Sequence, residues 1–151
     1  MESMKKSSGN KLILMALVSF LVMFVLMYMM VDIYSNMYIN LNQMYMVLVM
    51  VAAMMIIEIA LMGAMYDRGV KIVTTVSSVV VLVLFFVFVR NQTAISDKEF
   101  LKSMIGHHGS ALLMCENAKL KDAEVKSLCD EIISGQQTQI DWMKSKISSI
   151  K

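Results

Sequence analysis

The first ninety residues of the chain alternate between long apolar blocks and short polar connections. Residues 12–31, 44–66 and 72–89 form three such blocks. Each approaches the length of about 20 apolar residues that a transmembrane helix requires. A lone segment in lipid must satisfy its own backbone hydrogen bonds, so even the valine-rich third block is predicted to be helical. The first block is interpreted as a retained anchor, because its apolar core is too long for a signal peptide.

The remainder of the chain changes to the period of an amphipathic helix. Apolar residues recur about every 3.6 positions over 97–118 and again over 123–149, which predicts two helices. Ser96 and Glu99 have the spacing of a capping box before the first helix. Asp122 is a suitable N-cap for the second. The short connection between them indicates that the two helices fold back on one another.

We therefore predict an all-α chain in two parts. Residues 1–90 form a membrane domain with three transmembrane helices, and residues 91–151 form an extramembrane, antiparallel helical hairpin. A hairpin of two helices has little core of its own. We expect it to act as a ferritin-like half-bundle that forms a homodimer, or a higher homo-oligomer, through a four-helix bundle. Ser77 and Ser78 of the third membrane helix are expected to assist this association.

Charge sets the expected orientation of the three membrane helices. Lys5, Lys6 and Lys11 precede the first apolar block, and Arg68 and Lys71 lie in the second connection, whereas the first connection has no lysine or arginine. The positive-inside rule then places the N-terminus in the cytoplasm and the hairpin domain outside. We interpret this as a bacterial inner membrane with a periplasmic hairpin. The net charge of +2 is too small to argue for nucleic-acid binding.

The first hairpin helix concentrates nitrogen and sulfur side chains. It carries the only two histidines of the chain, His107 and His108, between Met104 and Met114. Antiparallel folding brings Met143 of the second helix towards Met104. Thioethers bind Cu(I) well, and imidazole suits both copper oxidation states and zinc. The spacing therefore predicts a site for a soft metal ion. Copper is the expected metal, with Cu(I) as the favoured oxidation state.

The same residues also have a purely structural explanation. A histidine on an apolar stripe is often a satisfied core residue, and methionine is common core filler. Gln136 lies level with the histidines on an apolar stripe, where a buried amide needs a partner. We interpret Cys115 and Cys129 as small buried hydrophobic residues, and a disulfide between them is the alternative that an oxidising compartment would allow.

A second methionine pattern runs through the membrane helices and ends at an acidic residue. A charge within a membrane costs at least about 2.5 kcal/mol and is a functional candidate by default. One interpretation is a path for Cu(I). The alternative, which we favour because methionine packs readily anywhere, is flexible packing around a protonated Glu58. The pattern consists of Met23, Met27, Met30, Met46, Met50, Met54 and Glu58.

Two motifs give the hairpin domain a family resemblance. They are Met-Ile-Gly-His-His-Gly-Ser-Ala-Leu-Leu-Met, from Met104, and Ile-Ile-Ser-Gly-Gln-Gln-Thr-Gln-Ile-Asp-Trp-Met, from Ile132. Residues 97–147 resemble the ferritin-like domain-of-unknown-function family numbered 305, which includes CopM-type periplasmic copper-binding proteins. The three upstream helices are similar to a membrane-anchored branch of that family.

The resemblance implies a set of metal-site residues. It assigns metal roles to Met104, His107, His108, Met114 and Met143, supported by Gln136 and Gln137. The chain departs from the family pattern at Gly106, where proline is usual, at Gly135, where alanine is common, and at Gln139, where glutamate is common. The glutamine removes a carboxylate from the family pattern, and the two glycines suggest a looser hairpin.

These observations lead to one expected function and one alternative. We expect a membrane-anchored protein that buffers or hands over Cu(I) or Cu(II) at the outer face of the membrane, with a copper transporter or chaperone as its partner. The alternative is a structural or accessory membrane subunit whose hairpin docks a partner and binds no metal. Enzymatic activity is not expected, since the sequence shows no nucleophile–base pair or carboxylate dyad.

Overall fold

The computed structural model describes residues 2–150, with side chains from residue 9 onward, and this part of the chain is all-helical. The polar connections contain short 3-10 turns. The helices are α1 Glu2–Leu26, α2 Leu41–Met62, α3 Arg68–Asn91, α4 Asp97–Asn117 and α5 Ala123–Ser149. All five predicted helices are therefore present, and the all-α fold class is confirmed.

Three helical stretches are long and apolar enough to cross a membrane. They are Gly9–Met30, Leu41–Met65 and Arg68–Asn91, the first two of which include 3-10 turns. Their limits differ by only a few residues from the predicted blocks, because the apolar runs themselves determine where each helix is favourable. Most of their residues are not covered by other parts of the chain, as expected of surfaces that would face lipid.

The chain forms two compact units. The first contains α1, α3 and all but the first two residues of α2. The second contains α4, α5 and the connection at residues 27–42, here called the 27–42 segment. The sequence prediction placed this segment in the membrane domain and drew the boundary at residue 90. The structure instead groups it with the helices that follow the membrane spans.

Aromatic and aliphatic side chains hold the first unit together around α2. Val47 and Met55 of α2 are buried. Tyr45 places its ring 5.5 Å from Phe85 and 5.7 Å from Phe88 of α3, measured between centroids. Its hydroxyl group donates to the carbonyl oxygen of Thr93 at 3.2 Å. The polar tip of this tyrosine thus finds a partner while its ring packs, as buried tyrosines usually require.

The core of the second unit lies between α4 and α5. The buried positions on each helix recur at helical spacing, so one face of each helix is covered by the other. Tyr38, from the 27–42 segment, packs against this core. The core residues are Leu101, Ile105, Leu112, Ile140 and Met143.

Side-chain caps fix where α4 and α5 begin. The hydroxyl oxygen of Ser96 accepts the backbone N–H of Glu99 at 3.3 Å, and the carboxylate of Asp122 accepts the first free amides of α5. The second half of the predicted capping box is wrong. The Glu99 carboxylate accepts the backbone N–H of Leu41 at 2.9 Å and the Lys102 ammonium group at 2.7 Å, because the 27–42 segment brings an uncapped helix start next to it.

Cys115 of α4 and Cys129 of α5 form a disulfide, and their Cα atoms lie 5.3 Å apart. The interpretation of both as free buried cysteines is therefore wrong. The short connection between α4 and α5 keeps them level enough to satisfy the limit of about 7 Å between Cα atoms.

Candidate metal-binding site

His108 is the buried histidine of α4, with 8% of its surface exposed. Its Nε2 atom lies 2.6 Å from Oε1 of Gln139 on α5. With the amide oxygen as acceptor, Nε2 carries the proton and Nδ1 carries the lone pair. Nδ1 is buried and has no hydrogen-bond partner. The structure thus presents an imidazole lone pair that nothing in the described part of the chain satisfies.

The contact between His108 and Gln139 shows which residues of α4 and α5 lie at the same height. Met104 precedes His108 by one turn on α4, and Met143 follows Gln139 by one turn on α5, so the two methionines lie in the next layer along the interface. Met143 belongs to the buried core, and Met104 packs against that core. Three of the five predicted metal ligands therefore belong to neighbouring layers of one helix–helix interface.

Gln136 and Gln137 have different environments. Gln136 is half-buried, and its Oε1 atom is buried without a hydrogen-bond partner. It precedes Gln139 by one turn, on the side of α5 that contacts α4. Gln137 is exposed, and its Nε2 atom donates to a carboxylate oxygen of Asp141 at 3.0 Å. Gln136 is thus part of the interface that contains His108, whereas Gln137 is engaged on the outer surface of α5.

The amide that orients His108 was not the one that sequence reasoning selected. Gln136 was expected to meet the histidines, but the imidazole contacts Gln139. The two glutamines are three positions apart and share one face of α5, so their spacing does not distinguish them. The sequence did contain one indication that Gln139 contacts the histidine. In the family that the chain resembles, this position is commonly glutamate, whose carboxylate accepts hydrogen bonds.

His107 and Met114 lie on the exposed side of α4. The rings of His107 and His108 are 6.1 Å apart between centroids, with an interplanar angle of 63°. Adjacent helical residues point about 100° apart around the axis, so the two imidazoles cannot share one orientation. Met114 is 52% exposed. Met114 lies two turns beyond His107 on the same exposed strip of α4. Both residues are therefore separate from the buried side chains of His108 and Met143.

The 27–42 segment packs closely against α4 beside His108. Gly109 provides the space: a β-carbon there would lie 2.5 Å from Oδ1 of Asp32 and 3.3 Å from Val31. Asn36 is fully buried, and its Nδ2 atom donates to both carboxylate oxygens of Asp32, at 2.7 and 2.9 Å. This contact was not foreseen, although two glycines so near the histidine pair were a signal of close approach.

The methionines of the membrane pattern differ in exposure and in the unit to which they belong. Met46 and Met50 of α2 are exposed, at 41% and 36%. Met27 and Met30 form the ends of a 3-10 turn within the 27–42 segment. Glu58, the acidic end of the pattern, accepts the hydroxyl group of Tyr66 at 2.8 Å. The hydrogen bond from Tyr66 is compatible with the packing interpretation for Glu58.

Met23 and Met54 are the remaining members of this pattern, and both are half-buried. No three His, Cys, Asp or Glu side chains gather into a metal-sized group anywhere in the described residues. Among the predicted ligands, Met104 and Met143 belong to the same helix–helix interface as His108.

Comparison with known proteins places part of this chain in a described family. Residues 89–147 match the family described as Domain of unknown function (DUF305). The chain is also similar to a protein of Acanthamoeba polyphaga mimivirus named Uncharacterized protein L153. The two are 32% identical over 113 residues, which cover 74% of this chain and 73% of the viral protein. No solved structure matches the chain.

Proposed function

This chain belongs to the DUF305 family, and on that premise we propose that it is a membrane-anchored copper-binding protein. It buffers Cu(I) or Cu(II), or hands the ion to a copper transporter or chaperone, at the outer face of a membrane. One observation carries the proposal: the Nδ1 atom of His108 is buried and has no hydrogen-bond partner. A buried acceptor left unpaired costs about 1–3 kcal/mol, and a bound cation removes that cost.

The ligands beside His108 select a soft ion. Met104 and Met143 offer thioether sulfur one helical turn away, in the apolar interface between α4 and α5. Thioethers favour Cu(I), while Mg²⁺ and Ca²⁺ prefer oxygen. The proposal requires the flexible methionine side chains to place sulfur next to Nδ1. His107 and Met114, both exposed, are proposed as separate positions along which the ion enters or leaves.

Gln139 completes the arrangement around the imidazole. Histidines that bind metals usually donate the other ring N–H to an oxygen, which fixes the tautomer and the ring orientation. The carbonyl oxygen of Gln139, 2.6 Å from Nε2, supplies that acceptor here. The unpaired Oε1 atom of Gln136 adds a second acceptor on the same interface, which would be available to a water on a bound ion.

The proposed location follows from charge and from the disulfide. Arg68 and Lys71 lie at the connection between the second and third spans, so the positive-inside rule directs α4 and α5 to the outer side. The bond between Cys115 and Cys129 suits an oxidising compartment. We propose that α4 and α5 form an antiparallel hairpin, a ferritin-like half-bundle, and that two copies dimerise into a four-helix bundle.

A second function is favoured by the outer surface of α5. Leu128 and Trp142 are 54% and 61% exposed, and they lie two heptads apart on one strip of the helix. Exposed tryptophan is common at protein interfaces. A structural or accessory subunit would use this strip to dock a partner, with His108 as a core residue. Neither function requires catalysis by this chain.

Competition for Cu(I) separates the two functions. The full-length protein, purified in detergent under reducing-agent-free anaerobic conditions, is titrated against a chromogenic Cu(I) chelator. The first function predicts that the wild type takes copper from the chelator and that His108→Ala loses most of this ability. Leu128→Ala is the matched control and is expected to bind as the wild type does. Equal binding by the wild type and by His108→Ala contradicts the copper proposal.

A further inference from the structure

The 27–42 segment has an unusual distribution of polar and apolar side chains. Asn36 and Asn40 are buried, whereas Ile33, Tyr34 and Ile39, here called the apolar trio, are 53%, 89% and 67% exposed. A connection whose outer side faces water is expected to show the opposite, with amides outside and aliphatic side chains inside. The described part of the chain leaves more than half of each trio residue uncovered. The trio is therefore available to a partner outside the chain.

The buried side of the segment accounts for its polar groups. Asp32 is the only charged residue of the segment. Its carboxylate lies against Gly109 of α4 and accepts two hydrogen bonds from the Asn36 amide group. The amide group of Asn40 donates to the carbonyl oxygen of Tyr38 at 3.0 Å. The charge of the segment is thus engaged next to α4, and the apolar trio carries none.

Chain continuity indicates which partner lies beside the trio. Residues 31–40 join the candidate spans Gly9–Met30 and Leu41–Met65. Ile39 is two positions from the second span and Ile33 is three positions from the first, so even an extended chain carries them only about 7 and 10 Å from a span end. The headgroup region on each side of a bilayer is about 5–8 Å thick. Once both spans are inserted, the trio therefore lies within or next to the headgroup region.

The chemistry of the trio suits this layer better than it suits a protein partner. Tyrosine is enriched at membrane–water interfaces, and apolar faces of interfacial segments are buried about 5–10 Å into the headgroup and acyl boundary. Even a buried tyrosine contributes at most about 250 Å² of contact surface. Three side chains therefore fall short of the roughly 800 Å² that each partner contributes to a stable protein interface.

We propose that the apolar trio inserts into the headgroup region of the membrane that the spans cross, and that the 27–42 segment thereby holds α4 at the membrane surface. The segment is fastened to α4 by Asp32, which lies against Gly109, and by the Glu99 carboxylate, which accepts the backbone N–H of Leu41 at 2.9 Å. Because the trio carries no charge, its contact is with the apolar part of the interface. The inference rests on the membrane insertion included in the proposed function, and it is independent of copper binding.

Tryptophan fluorescence of the full-length protein in phosphatidylcholine nanodiscs tests the proposal. Trp142→Phe removes the only tryptophan of the chain, and Tyr34→Trp then places a single probe in the trio. We expect lipids brominated near the headgroup end of the acyl chain to quench this probe about threefold more strongly than Leu128→Trp. Leu128 is the matched control, because it is exposed and lies about 24 Å along α5 from Lys144, which contacts Ser35 of the segment.

Two further probes, in the same Trp142→Phe background, make the result decisive. Ile39→Trp repeats the measurement at the other end of the trio and is expected to behave as Tyr34→Trp does. Val80→Trp, at an exposed position in the middle of α3, reports on the insertion of the spans. It is expected to be quenched most by bromine near the methyl end of the acyl chain.

Quenching of Val80→Trp without quenching of Tyr34→Trp and Ile39→Trp overturns this inference and leaves the membrane insertion intact. Trio probes that are shielded from aqueous iodide but not quenched by brominated lipid overturn it as well, because they indicate a protein partner or a second copy. The absence of quenching at Val80→Trp removes the membrane insertion and this inference together. None of these results bears on copper at His108, which chelator competition measures.

Discussion

The carboxylate of Asp32 occupies the space where a side chain on Gly109 would begin. Its Oδ1 atom lies 2.5 Å from the position of that β-carbon, closer than atoms approach without moving. Asp32 is itself held by two hydrogen bonds from the buried amide of Asn36. The absence of a side chain at Gly109 is therefore what allows the 27–42 segment to rest on α4, one position from His108.

Inserting a methyl group into packed structure usually costs about 1–3 kcal/mol, and alanine gains about 1 kcal/mol over glycine within a helix. Gly109→Ala is therefore expected to destabilise the protein by up to about 2 kcal/mol. Gly135→Ala on α5 is the matched control, since a β-carbon there meets nothing within 4 Å, and it is expected to stabilise. Thermal unfolding followed by circular dichroism measures both. Stabilisation by both substitutions would show that the contact with Asp32 is absent.

Gln139→Ala is expected to weaken Cu(I) binding about 10- to 100-fold, the usual effect of removing a partner that orients a metal-binding histidine. The imidazole of His108 then loses the oxygen that fixes its tautomer. Chelator competition measures the change. Gln137→Ala, which removes only a surface contact with Asp141, is the control. Similar affinities for the two variants would indicate that the contact of His108 with Gln139 has no part in metal binding.

Loss of the bond between Cys115 and Cys129 is expected to lower the free energy of unfolding by about 3 kcal/mol, the value for a closed loop of this length. The double substitution to serine removes the bond without leaving a reactive thiol. Thermal unfolding of this variant and of the wild type, with and without reductant, measures the effect. A wild type that is insensitive to reductant would show that the disulfide does not form.

The stability of the second unit is expected to depend on pH through the carboxyl group of Glu99. Burial acts to raise the pKa of Glu99, but hydrogen bonds from Lys102 and from the Leu41 amide, with the charge of Lys102, outweigh it and lower the pKa. In the unfolded chain the pKa of a glutamate is about 4.3. The carboxyl group therefore stabilises the fold at pH values above about 4.3. This contribution disappears as the pH falls through the lower pKa that the group has in the folded protein.

Glu99→Gln is therefore expected to be less stable than the wild type at neutral pH and to approach it in acid. Unfolding temperatures of both proteins, measured from pH 6 downward, check this expectation. The difference between the two is predicted to shrink below about pH 4.3. Curves that remain parallel throughout would mean that the carboxylate does not hold the start of α2.

Apolar spacing was sufficient to locate the helices of this chain. The three apolar blocks and the two amphipathic runs each became a helix, because burial and backbone hydrogen bonding favour the same residues. Local capping chemistry was readable as well: Ser96 and Asp122 cap α4 and α5 as their positions predicted. These features depend on neighbours within a few positions along the chain.

Contacts between distant residues were less accessible from the sequence. Whether Gln136 or Gln139 reaches His108 depends on how α5 is rotated about its own axis, which a shared periodicity does not define. The contact between Asp32 and Gly109 joins positions that are far apart in the chain. The 27–42 segment also lacks the helical spacing of apolar residues from which a packed surface could be predicted. The disulfide was given only as the alternative for the same reason, since it depends on the relative height of two helices.

The proposed function requires that the Nδ1 atom of His108 binds copper together with methionine sulfur. X-ray absorption at the copper edge, on the full-length protein loaded with one equivalent of Cu(I), identifies these ligands. We expect one nitrogen scatterer from imidazole and at least one sulfur scatterer, with the imidazole signal lost in His108→Ala. A spectrum without sulfur, or one that is unchanged in His108→Ala, would contradict it.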